Sequence, residues 1–123
     1  MIFSFDSPPQ DTGELRRILA LPRRQHTDAD RARFVEALSA TLRKPGGTMT
    51  LWPVQATALF EIASCDGAYL PIRVSGGKTL ISLLAPTVLG AARPLLIVPA
   101  KLVEKTRRDW RRLAAHWKIP EFL

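Results

Sequence analysis

Pro71-Ile72-Arg73-Val74-Ser75-Gly76-Gly77-Lys78-Thr79 is the stretch on which the fold reading turns. Ala68 to Ile72 is a short, mostly apolar run that reads as a strand. It stops at a glycine pair, and Lys78-Thr79 opens a helical pattern (Leu80, Ile81, Leu83, Leu84, Val88) that lasts until Gly90. Strand, glycine turn, Lys-Thr and helix together make the arrangement of a phosphate-binding loop. Amides at a helix N-terminus carry partial positive charge and have no intrahelical partner, so they bind anionic oxygens. Glycine lets the backbone curl close to a phosphate, the lysine reaches its outer oxygens, and a Thr hydroxyl ligates magnesium. The full pattern asks for glycine six residues before the lysine, where this chain has Ile72. The same tripeptide also suits an ordinary glycine turn leading into a helix with a surface lysine.

Working outward, Ala91-Ala92-Arg93-Pro94 leads to Leu95-Leu96-Ile97-Val98, a continuous apolar run of the kind buried on both faces of a parallel sheet. Strand 68–72, helix 78–90 and strand 95–98 then form one right-handed βαβ unit, with phosphate at the C-terminal end of the first strand. Leu51-Trp52-Pro53-Val54-Gln55 opens the preceding helix, whose buried side is Leu51, Trp52, Ala58, Leu59, Ile62 and Ala63. The last element, Lys101 to Trp117, is strongly amphipathic. Trp110 and Trp117 lie on its apolar stripe as core anchors, and Lys101, Lys105, Arg107, Arg108, Arg111 and Arg112 fill the other faces.

Upstream, residues 1–10 read as a loose arm ending in Ser7-Pro8-Pro9. One helix is expected over Thr12 to Leu21, stopped by Pro22, and Arg23-Arg24-Gln25-His26 is a linker. A second runs from a Thr27 or Asp28 cap to Lys44, and Pro45-Gly46-Gly47 ends it. A boundary placed there separates a helical extension, 1–47, from residues 48–123.

The 123 residues suit one domain or a piece of a larger one, and 46% apolar content excludes general disorder. A single cysteine excludes an internal disulfide framework and fits a reducing cytosol. Cys65 reads as a small buried hydrophobe, and the isolated His26 and His116 give no metal-site spacing. No signal peptide pattern stands at the N-terminus, and the proline-interrupted apolar runs are too short to cross a bilayer, so a soluble cytoplasmic protein is expected. Residues 1–66 balance eight basic against eight acidic side chains, whereas 67–123 hold ten basic and three acidic and carry the net charge of +7. That basic half suits a polyanionic partner such as nucleic acid, and equally a solvated surface.

Taken together, residues 48–119 resemble the front of the first RecA-like lobe of superfamily 2 helicases, including the Snf-type remodellers. Leu51-Trp52-Pro53-Val54-Gln55 looks like the adenine-reading glutamine segment. Ile72 to Thr79 resembles motif I, usually Ala/Gly-x-x-Gly-x-Gly-Lys-Thr, with Ser75 where the family has glycine. Leu95 to Val103 is similar to motif Ia, a strand ending in proline before a helix that lies against DNA. The resemblance implies a helix-rich α/β fold with a partial P-loop lobe and a short parallel sheet. It implies ATP and Mg2+ as ligands: Gln55 on adenine; Ser75, Gly76, Gly77 and Lys78 on the phosphates; Thr79 on magnesium. It places Ala100, Lys101, Lys105, Arg108 and Arg112 along DNA. None of the eleven acidic residues follows an apolar strand as the hydrolytic Asp-Glu pair of this family does, so no turnover is expected. Alternatives are a small non-catalytic binding protein of a virus or mobile element that keeps the lobe remnant and binds nucleic acid or a nucleic-acid-binding protein, or a module whose basic helix meets an acidic partner. Two strands bury little, so another chain or further lobe would complete the sheet.

Overall fold

The computed structural model describes residues 10–121. The expected N-terminal arm therefore lies almost wholly outside the described residues. Among the described residues five helices follow one another: α1 (Gly13–Leu19), α2 (Asp28–Leu42), α3 (Pro53–Cys65), α4 (Lys78–Leu89) and α5 (Val103–Ala114), the last preceded by a 3-10 turn at Ala100–Leu102.

No strand and no sheet exist among the described residues, which overturns the expected α/β class and its βαβ unit. Both strand assignments, 68–72 and 95–98, fail for the same reason: a strand exists only with a partner, and neither segment has one among the described residues. Within the first, Ile72 N–H donates to Leu70 O (2.8 Å), a local bond that bends the chain instead of pairing it. In the second, Leu95 and Ile97 are each 84% exposed while Leu96 and Val98 are half-buried. The run is therefore one-faced, not buried on both sides. Pro71 removes a donor from the first segment, and Pro94 and Pro99 confine the second to four residues.

The helices start and stop where their caps dictate. Thr12 Oγ1 accepts from Leu15 N–H at 3.1 Å and opens α1. At α2, Thr27 Oγ1 accepts from Asp30 N–H (3.1 Å) while Asp30 Oδ2 accepts from Thr27 N–H (3.0 Å) and Thr27 Oγ1 (2.7 Å), a reciprocal capping box. Glycines in the left-handed region bound α4 at both ends, Gly77 (φ 75°) and Gly90 (φ 62°).

The Thr27 hydrogen bonds, followed by Arg33, hold the Asp30 carboxyl down at about 2. A depressed carboxylate stabilises the fold above its unfolded pKa of ~3.9, and that contribution disappears as pH falls through the folded value. The thermal-midpoint gap between wild type and Asp30→Asn is therefore expected to be full above pH 4 and to close between about pH 4 and 2. A gap unchanged at pH 2 would mean that the carboxylate has no role in the cap.

One buried apolar cluster joins α2 to α5: Leu42 from α2, Leu51, Leu59 and Ile62 at α3, Leu80, Leu83 and Leu84 from α4, and Leu113, Trp117 and Ile119 at the C-terminal end. Trp52 and Ala63, expected on the buried side of α3, are exposed. Pro53 occupies the first turn, which needs no amide there, and the N-terminal position of Trp52 turns its ring outward.

The segment after α5 works as a clasp. Trp117 forms an isolated antiparallel bridge with Arg43. Around it, Lys44 N–H donates to His116 O (2.9 Å) and Lys118 N–H to Leu42 O (2.8 Å). Thr87 Oγ1 donates to Lys118 O (2.7 Å), and Trp110 Nε1 to Pro120 O (2.9 Å). Residues 116–120 thereby hold the end of α2 against α4 and α5.

Candidate phosphate-binding loop and basic helix

The loop from Ile72 to Gly77 keeps several features of the sequence reading. Gly76 N–H donates to Arg73 O (3.0 Å), closing a turn whose third residue, Ser75, has φ 66°. That is the pattern of a type II turn, which calls for glycine at that place. An L-residue there costs roughly 1–2 kcal/mol. Ser75 thus stands in a glycine conformation. A Cβ on Gly76 would strike Ile72 Cγ2, and it would sit 3.0 Å from Arg73 O. The branched Ile72 side chain fills the space that a small residue at 72 would leave.

Gly77 is the N-cap of α4, and no side chain caps that end. The amides of Gly77, Lys78 and Thr79 donate to no group among the described residues, whereas Leu80 and Ile81 N–H already reach Gly77 O. Three donors are therefore aligned with the positive end of a twelve-residue helix. Lys78 Nζ folds back onto Ile72 O (3.1 Å), spanning the loop.

Gln55 and the loop meet in space. Its side chain lies against Gly77 so closely that a Cβ on that glycine would collide with Gln55 Nε2. Gln55 is 5% exposed, and its Oε1 accepts from Trp52 N–H at 2.8 Å, so its carboxamide caps α3. The residues fit the expected ligand only in part. The amides and Lys78 suit phosphate oxygens, and Thr79 adds a half-buried hydroxyl. A buried, bonded Gln55 does not suit adenine. No group of three His, Cys, Asp or Glu side chains among the described residues could hold a metal ion, so magnesium would depend on Thr79 and the phosphates alone.

The five positions expected along DNA lie on one exposed side at the start of and along α5. Ala100 opens the 3-10 turn. Lys101, Lys105, Arg108 and Arg112 recur at helical spacing and are exposed. Lys105 (3.0 Å) and Arg112 (3.5 Å) share Asp109, and Lys101 and Arg108 have no carboxylate partner among the described residues. Exposed ion pairs of this kind contribute ~0–1 kcal/mol, so the side keeps its positive potential. The two tryptophans differ. Trp117 is fully buried and Trp110 half-buried, and neither is presented for base stacking.

A second cluster has no counterpart in the sequence reading. Arg24 Nη1 donates to Cys65 Sγ (2.9 Å) and Arg24 Nε lies 3.4 Å from Glu61 Oε1, which also pairs with His26 Nε2. His26 stands edge-on to Phe34 and Phe60, whose rings stack at 4.0 Å. Cys65 is exposed, not buried, because α3 ends there and Asp66 turns away in the left-handed conformation. His26 is likewise not isolated. Glu61 and Cys65 share one side of α3 by their four-residue spacing. Their joining to the 24–26 segment is long-range and has no local signal.

Compared with known proteins, the chain matches no family model, no curated protein and no solved structure. No helix among the described residues is long and apolar enough to cross a membrane.

Proposed function

We propose that this chain is a nucleotide-phosphate-binding front portion of a superfamily 2 helicase-type ATPase, acting in the cytoplasm and unable to turn over ATP by itself. The observation that supports it best is the conformation of Ser75. It stands where the resembled motif has glycine, and it takes up the left-handed backbone that makes glycine suitable there. The unpartnered amides of Gly77, Lys78 and Thr79 and the adjacent ammonium supply donors of the chemistry that phosphate oxygens accept. Binding without hydrolysis is the expected behaviour, because no group of three His, Cys, Asp or Glu side chains among the described residues could hold a metal and position water.

Titration calorimetry with Mg-ATP tests this. Wild type is expected to give weak binding, and Lys78→Ala to lose at least about tenfold, the worth of one charge-assisted hydrogen bond. Ser75→Gly removes the left-handed penalty and is expected to raise stability by roughly 1 kcal/mol while keeping or tightening binding. Absence of heat from wild type and Ser75→Gly alike would end the reading.

A second reading has its own support in the exposed side of α5. A small non-catalytic protein, of viral or mobile-element type, would lay Lys101, Lys105, Arg108 and Arg112 along a DNA backbone. Its signature is affinity for duplex DNA that falls steeply with salt, as counterions are released.

A further inference from the structure

A groove of roughly 880 Å3 runs between residues 92–98 and α5. Its floor is apolar, with Leu96, Val98, Val103 and Trp110, and Arg93 and Arg111 stand at its rim. Neither arginine has a carboxylate partner among the described residues, and Glu121 is the one acidic residue in the lining. Residues 94–98 run without turn or bend, and their exposure alternates with the two-residue period of an extended strand. No backbone amide or carbonyl from Leu95 to Val98 is hydrogen-bonded within the described residues. Leu95 and Ile97 stand in solvent beside that unpaired edge.

The geometry points to this edge as a docking site for an extended acidic segment of another polypeptide, carrying apolar residues in alternation. Such a segment adds a strand along Leu95–Val98. Its amides and carbonyls satisfy the open edge, the apolar side chains on its outer face cover Leu95 and Ile97, and the carboxylates on its groove face meet Arg93 and Arg111 at the rim. Nucleic acid fits this place less well. A phosphodiester backbone accepts hydrogen bonds but donates none, so it leaves the carbonyls of 95–98 unpaired and sets a polyanion against exposed leucine and isoleucine. The groove also lies on a different side of α5 from Lys101, Lys105, Arg108 and Arg112, whose spacing places them about half a turn away. The inference stands on the groove alone, whether or not the loop at 72–79 binds nucleotide.

The test uses the full chain and a labelled ten-residue peptide of alternating glutamate and valine, read by fluorescence anisotropy. Saturable binding is expected, with amide-exchange protection appearing at Leu95–Val98. The Arg93→Glu/Arg111→Glu pair is expected to weaken it by about tenfold or more, as expected for lost close charge pairs. Arg108→Glu, off the groove, is expected to leave it unchanged. Circular dichroism checks that each variant keeps its helix content. Three results overturn the proposal: binding of polyglutamate as tight as the alternating peptide, binding without protection at 95–98, or a duplex DNA that displaces the peptide in a manner governed by Arg111 and not Arg108.

Discussion

Trp117→Ala is expected to lower the unfolding free energy by about 3–5 kcal/mol, the range for emptying a fully buried aromatic site. Natural domains hold only about 5–15 kcal/mol in total, so this one change is expected to leave the chain marginally folded. The reason lies in position as much as in size. Trp117 is fully buried at the meeting point of α2, α4 and the C-terminal segment, and its backbone pairs with Arg43. Collapse of the ring site loosens the Lys44–His116 and Lys118–Leu42 hydrogen bonds as well. Trp117→Phe separates volume from polarity. The indole Nε1 is buried without a hydrogen-bond partner among the described residues. A stranded donor costs about 1–3 kcal/mol, so phenylalanine removes that penalty while losing part of the packing. Denaturant unfolding should place Trp117→Phe well above Trp117→Ala. Equal midpoints for the two would show that the indole nitrogen is satisfied, or that the pocket collapses as readily around either residue.

Gly77→Ala is the second large effect, and it has two sources. The left-handed backbone (φ 75°) costs an L-residue roughly 1–2 kcal/mol. The new methyl also collides with the buried Gln55 carboxamide, which cannot move without releasing Trp52 N–H. Disturbing a buried bonded group adds about 1–3 kcal/mol. A double-mutant cycle with Gln55→Ala separates the sources. In that background the steric part vanishes, and the cost of Gly77→Ala is expected to fall to the backbone share. A cost that stays the same in both backgrounds would mean that Gln55 is not wedged against this turn. The cycle bears on function too, because the same glycine opens the amide-lined end of α4.

The helices were legible because each carries its own local instructions. Thr12 and the Thr27–Asp30 box start α1 and α2, Pro53 sits in the first turn of α3, and Gly90 stops α4. The glycine turn expected at Gly76-Gly77 was readable at Gly77, which takes the positive φ that its residue type allows, whereas the left-handed Ser75 carries no such signal in its own identity. Sheet formation is not. Leu95 to Val98 has the composition of a buried strand, but pairing depends on a second segment at the right distance, and nothing in four residues reports whether one is there. The same limit hid the contacts of His26 with Glu61 and of Arg24 with Cys65, which span 35 and 41 residues. Ile119-Pro120 lies beyond the last element read from the sequence. In the structure Ile119 is buried and Pro120 O accepts the Trp110 indole.

The clasp also bears on the order of events during synthesis. Lys118 Nζ donates to Thr41 O across 77 residues of chain, and the backbone bonds beside it span nearly as much. Contacts that distant carry the largest loop-closure entropy and form late. While residues beyond α5 are still inside the ribosome, the seat for Trp117 is open and α2 has no lock on the rest. The helices that emerge first therefore stay unlatched until Trp117 is seated, a window in which proteases and chaperones meet them.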